Sequence, residues 1–162
     1  MFKYFNIFPL LSDFLLKTSL GIVFFNYGWG KFQKLLSGQG EDLIAMVSSI
    51  PFFGFFPVLF DWILALSETL ILFALIYGYF NFFPISNLIT KIAGLFSLII
   101  SLVIVYMHIC VWGDNVFSHG PFEILNVEDG KKAIFGQVLL IPISFYIIFN
   151  NRGNYLFVNE NK

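Results

Sequence analysis

The chain is poor in two things that soluble proteins use freely, charge and cysteine. Charged residues make up 12% of its 162 positions and hydrophobic ones 58%, where a soluble domain carries about 25% charged residues. With a mean hydropathy of +0.82, such a surface could not be kept in water, so the expected solvent is lipid. The net charge is −1 and there is no basic block, which excludes the usual electrostatic footprint of a nucleic-acid binder. Cys110 is the single cysteine, so neither an internal disulfide nor a CxxC redox pair can form. Any redox chemistry would have to use a bound cofactor or a partner. No glycine-rich nucleotide loop, metal motif or nucleophile–base pair is present. No repeat of about 20–50 residues is visible, which leaves an inverted-repeat transporter without internal support. A chain of this length is expected to form one domain.

What is present is a series of apolar runs. Four spans are expected, at about 10–30, 57–77, 89–111 and 133–149, each near the length needed to cross hydrocarbon. The fold class expected is all-α, an integral membrane four-helix bundle. Phenylalanine, with 23 residues, reads as lipid-facing bulk and not as a cofactor box. The opening MFKYFNIFPLLSDFLLK is broken by Pro9, Asp13 and Lys17, unlike a signal-peptide core, so the first span is expected to stay in the mature protein. Asp13 and Lys17 are four residues apart and can pair on the helix surface, with Lys17 snorkelling to the interface. Tyr27, Trp29 and Lys31 mark the other end of that span. In the first loop, Glu41-Asp42 before LIAMVSSI predicts a short interfacial helix ended by Pro51. The uncharged run Leu43–Phe60 offers a span as the rival reading, against which Pro51, Gly54 and Pro57 stand. Ser86 or Asn87 is expected to cap the third span, and Pro142 to kink the fourth.

The second span contains two acids, Asp61 and Glu68. Seven residues are two helical turns, which puts both on one face about 10 Å apart. A carboxylate near mid-bilayer costs about 2.5–3.5 kcal/mol on insertion scales, so the rest of the chain should shelter Glu68. Counting residues inward from each span end puts Ser101 and Ser144 at the depth of Glu68. The same count puts Asp61, His108, Tyr27, Lys31 and Gln137 toward one end. The expected arrangement is a polar pocket with Glu68 at its floor. Intramembrane acids mark ligand or proton sites, but a buried glutamic acid can also simply tie helices together by hydrogen bonds. His108 serves either purpose equally well. A lone intramembrane histidine gives no second axial ligand for a bis-histidine haem. The spacing of His108, Asp114, His119 and Glu123 matches no metal pattern, so no metal is expected. Cys110 reads as an inert thiol near the surface.

These residues resemble the DoxX-like family of four-helix bacterial membrane proteins. The resemblance rests on KTSLGIVFFNYGWGKFQK in the first span, where a basic residue, glycine, aromatic, glycine and lysine map to Lys17, Gly21, Phe24, Gly28 and Lys31. It rests also on Glu68 with Gly78 in the second span, on Pro51 and Pro57 before it, and on His108 late in the third. Lys17 stands where the family usually has arginine, a point charge in place of a planar fork. Leu72 stands where a glycine is common. The resemblance covers nearly the whole chain, through short motifs. It implies a four-helix bundle in the bacterial inner (plasma) membrane. It also implies a redox-associated role, since some members resemble a subunit of a thiosulfate:quinone oxidoreductase and others are linked to complexes handling oxidative or thiol stress.

Three functions follow as expectations. The first is a subunit of a quinone-linked membrane oxidoreductase, with a quinone-like ligand near Glu68, Lys17 or Lys31 offsetting charge, and Asp61, His108 and Tyr27 as further candidates. The second is a non-catalytic scaffold that docks a protein partner or a second copy, with the polar loop 112–132 as contact. The third, the weakest, is a small-solute or proton transporter. Four spans put both termini on one side. Lys3, Lys17, Lys91, Arg152 and Lys162 on that side, against Lys31, Lys34, Lys131 and Lys132 on the other, favour a cytoplasmic location for both termini.

Overall fold

The structure, a computed structural model, describes residues 7–80, 85–111 and 135–150. Among these it is all-helical. Helix α1 (Ile7–Leu36) is followed by α2 (Glu41–Ser48), a 3-10 turn (Phe53–Phe55), α3 (Pro57–Tyr77), α4 (Ser86–Tyr106) continued by a π turn (Met107–Val111), and α5 (Phe135–Phe149). Three of these, Phe8–Leu36, Pro57–Tyr77 and Ser86–Val111, are long and apolar enough to cross a membrane. Their outward faces are lined with exposed Leu, Ile, Phe and Val, which marks the chain as a membrane protein in contact with lipid. The described part of α5, 15 residues, falls short of the ~20 that a straight crossing needs.

Helix α1 is longer at both ends than the expected span. At its start, Pro9 is no boundary, because a proline in the first turn removes an N–H that has no partner there. Gly28 and Gly30 lie inside the helix, which ends only at Gly38, whose φ of +72° is the left-handed conformation that suits glycine. The amides of Gly38 and Gln39 turn back to the carbonyls of Leu35 and Lys34 at 3.2 and 2.9 Å, closing the helix. Helix α2 forms where Glu41 and Asp42 complement the positive end of its dipole, and the run Leu43–Phe60, divided among α2, the 3-10 turn and the start of α3, is not a span. Helix α3 begins with Pro57 at its first position and ends before Gly78, as expected. Helix α4 starts at Ser86, after Ile85 in a left-handed conformation, and no side chain caps it. The expected Ser86 or Asn87 cap is therefore absent: Ser86 is buried, and its carbonyl accepts the Thr90 hydroxyl at 3.0 Å. Helix α5 runs through Pro142 unbroken. The expected contact loop 112–132, with Asp114, His119 and Glu123, and the side chain of Gln137 lie outside what is described.

Helix α1 packs mainly on α3, and α5 on α4, while the α3–α4 contact joins the two pairs. The core is Leu20 and Phe24 of α1, Ile71 and Leu75 of α3, Ala93 and Ile100 of α4, and Leu140 and Ile147 of α5. Between α4 and α5 lies a seam of small polar residues. The Ser97 and Ser144 hydroxyls are 2.8 Å apart, and Ser101 donates to the Ser97 carbonyl at 2.7 Å. Ser97 and Ser101, small residues four apart of the kind that allows close helix contact, are thus buried, with Ser144 as partner of Ser97.

Candidate functional site

The site is built on the antiparallel contact of α1 with α3. Glycines set how closely the two helices approach. A Cβ on Gly21 would lie 2.9 Å from the Leu72 Cα, and one on Gly28 would lie 2.5 Å from the Thr69 amide nitrogen and 2.6 Å from the Glu68 Cβ. Leu72 thus lies against a glycine of the other helix. This register brings Lys31, one turn beyond Gly28, over Glu68. The Lys31 ammonium donates to both Glu68 carboxylate oxygens, at 2.6 and 2.7 Å, the short distances of a charge-assisted pair. Glu68 is 1% exposed and the Lys31 side chain 18%.

Asp61 completes the group. It lies on the same face of α3 as Ala65 and Glu68, all three buried, and it is 0% exposed. Among the described residues neither of its carboxyl oxygens has a hydrogen-bond partner. Lys31 is close enough to act electrostatically on Asp61 as well as on Glu68, and Asp61 acts on Glu68. Two buried carboxyl groups thus face one ammonium, which pairs with only one of them. Outside this contact runs an aromatic column from α1 to α3. Phe25 and Trp29 stack at 5.8 Å, Trp29 and Phe32 at 5.9 Å, and Phe32 meets the edge of Trp62 at 6.0 Å.

A second polar node lies about half the length of α1 away. Asp13 accepts hydrogen bonds from Lys17 at 2.7 Å, from the Tyr79 phenol at 2.9 Å and from the Tyr146 phenol at 3.2 Å. The Lys17 ammonium also stands 5.0 Å from the centre of the Tyr79 ring. This corrects the expected surface pair with a snorkelling lysine: Asp13 and Lys17 are both buried. Burial, aided by the neighbouring Asp13 charge, holds the Tyr79 phenol above its ordinary range, so it remains a donor.

The structure therefore brings Lys31, Glu68 and Asp61 together and sets Lys17 in a separate node. Tyr27 stays out of both. It is 53% exposed because it is one position, about 100° of helix rotation, off the buried face that carries Gly28. His108 is buried within the π turn, and π turns recur at functional sites. Lys17, Gly21, Phe24, Gly28 and Lys31 recur at alternating steps of four and three, one stripe of α1. Tyr79 and Tyr146 were not among the candidate residues. Their signal is that each lies near the end of its helix on the Asp13 side, which a depth count could have registered. Comparison of the chain with protein-family models, curated proteins and solved structures finds no match.

Proposed function

We propose that the chain is an integral-membrane four-helix bundle acting as a redox-associated subunit, which takes a quinone-like ligand from the lipid at the Asp61–Lys31–Glu68 group. One observation carries the reading, the fully buried Asp61 carboxyl with two unpartnered oxygens. A buried polar group without a partner costs about 1–3 kcal/mol, and a ligand carbonyl reaching Asp61 through the apolar helices would recover that cost. A quinone supplies ring oxygens that take up protons on reduction, and it travels in hydrocarbon. Asp61 fits such a ligand as a proton-holding hydrogen-bond donor, with Lys31 beside it as a positive charge. Glu68, whose two oxygens are bound by Lys31, serves as the counter-ion of Lys31. The similarity of Lys17, Gly21, Phe24, Gly28, Lys31 and Glu68 to the DoxX-like pattern supports the same reading. The placement proposed is the bacterial inner membrane with both termini cytoplasmic.

The test is quinone content per chain in protein purified in mild detergent. Near-stoichiometric quinone in wild type, lost in a folded Asp61→Ala variant, is the expected result. No enrichment over bulk lipid in either would refute the reading. It would favour a scaffold that docks a protein partner, for which the saturated Lys31–Glu68 pair is the supporting observation, since it binds α1 to α3 whether or not a ligand arrives.

A further inference from the structure

The charge count at Asp61, Lys31 and Glu68 has a chemical consequence of its own. With both acids ionised the group would carry one uncompensated negative charge in a medium that strongly penalises it. With one acid ionised and one protonated it is neutral. The short contacts from Lys31 to both Glu68 oxygens put the negative charge on Glu68, and the unpartnered Asp61 oxygens put the proton on Asp61. The opposite assignment is equally neutral. It needs only that Lys31 move along α3 from one acid to the other, and two helical turns separate them, about 10 Å between backbones. The side chain between them on that face is Ala65, fully buried and too small to block a flexible lysine stem.

We propose that Asp61 and Glu68 share a single exchangeable proton, with Lys31 as a movable counter-ion that holds whichever acid is ionised. The site is then a proton-binding site that changes its internal ion pair when the proton moves between acids, with no change in total charge. In the arrangement that the structure holds, Lys31 is at Glu68, which leaves the proton to Asp61. Of the other ionisable groups on the elements packed against it, Tyr27 and Lys34 of α1 and Glu41 and Asp42 of α2 are exposed, Asp13 and Lys17 of α1 pair with each other in the second node, and His108 is buried in the π turn after α4. None of the exposed groups can neutralise Asp61 from the helix interior. The proposal does not depend on the quinone reading, because it concerns the protein in the absence of any ligand.

A hydrophobic carbodiimide tests it. Such a reagent adds the O–H of a protonated, lipid-accessible carboxylic acid across one of its C=N bonds, and the O-acylisourea rearranges to a stable adduct carrying the whole reagent mass, while an ion-paired carboxylate is spared. Protein reconstituted in synthetic phosphatidylcholine vesicles without quinone is treated at pH 7 and the adducts are mapped by mass spectrometry. Asp61 should be labelled at least about tenfold more than Glu68, because Lys31 occupies both Glu68 oxygens and an ion-paired carboxylate stays charged. In Glu68→Gln, Lys31 has only Asp61 to hold, and Asp61 labelling should fall about tenfold. In Lys31→Met both acids should be labelled. Labelling of Glu68 in preference to Asp61, or Asp61 labelling unchanged by Glu68→Gln, overturns the proposal. Infrared spectra give an independent reading that needs no reagent access: a protonated-carboxyl stretching band at pH 7, present in wild type and lost in Asp61→Asn, is expected. A wild-type spectrum without that band also overturns it.

Discussion

Replacing Lys31 with methionine keeps an unbranched stem of similar length and removes the charge that faces Glu68. Two outcomes compete for the orphaned carboxylate. Leaving it ionised in the interior costs about 3–5 kcal/mol, the usual price of breaking a buried pair. Taking up a proton at pH 7 costs about 3.7 kcal/mol, from 2.7 units between pH 7 and an ordinary glutamate pKa of ~4.3 at 1.36 kcal/mol each. Protonation therefore caps the loss at roughly 4 kcal/mol. The folded variant then binds a proton that its unfolded chain does not bind at neutral pH, so its stability rises as pH falls. The deficit relative to wild type should shrink by about 1.4 kcal/mol per pH unit and close near pH 4, where both states are protonated. Unfolding in mixed micelles of mild detergent and dodecyl sulfate, followed by circular dichroism at pH 7, 6 and 5, measures this directly. Adding Glu68→Gln to Lys31→Met should recover most of the loss at pH 7. A deficit that does not change with pH would show that Lys31 acts through packing of its stem and not through its charge. A deficit below about 1 kcal/mol at pH 7 would show that the pair behaves like an exposed one.

Gly28→Ala should destabilise by about 1–3 kcal/mol, because its Cβ would meet the backbone of α3, and the same micelle assay reads it. Gly30→Ala meets nothing and should be neutral or stabilising by up to about 1 kcal/mol through helix propensity; a loss at position 30 equal to that at 28 would refute glycine-set packing. Ser97→Ala and Ser144→Ala in a double-mutant cycle should show a coupling near 0.6 kcal/mol, and a zero coupling would deny their hydrogen bond. Tyr79→Phe should leave the alkaline absorbance titration unchanged up to about pH 11, since the phenol stays protonated beside Asp13. The stability that Tyr79 contributes is fully present below the ordinary tyrosine pKa of ~10 and is lost only as pH rises beyond it. A phenolate step that disappears from the curve below pH 11 would contradict the buried placement of Tyr79.

Much of this architecture was legible in the order of residues. Pro57 and Gly78 bracket α3 because each suits the helix end it occupies, and Glu41-Asp42 mark α2 by their charge. The boundaries of α1 were not legible in the same way. Pro9 and Gly30 look like breakers to local rules, but a first-turn proline loses no hydrogen bond and a helix held by its neighbours tolerates glycine. Asp13 and Lys17 looked like an interfacial pair because an ion pair four residues apart is cheapest in water. What buries them is the pair of phenols from Tyr79 and Tyr146, which come from 66 and 133 residues away. At the candidate site, Lys31 and Glu68 were both named, yet their direct contact depends on the register that Gly21 and Gly28 impose on α1 and α3. That Glu68 is saturated while Asp61 is not could not be read from two acids seven residues apart.

The two charged nodes of α1 also act as a ruler. Lys17 and Lys31 are separated by fourteen residues, about 21 Å of helix rise, against roughly 30 Å of hydrocarbon in an ordinary bilayer. In a bilayer centred between them, both nodes, internally neutralised, would lie several ångströms beneath the headgroups on their own sides. A bilayer that thins around the protein would bring water to Asp13–Lys17 and to Lys31 together, and a thicker one would seal both. Hydrophobic mismatch would then set how easily water reaches either node.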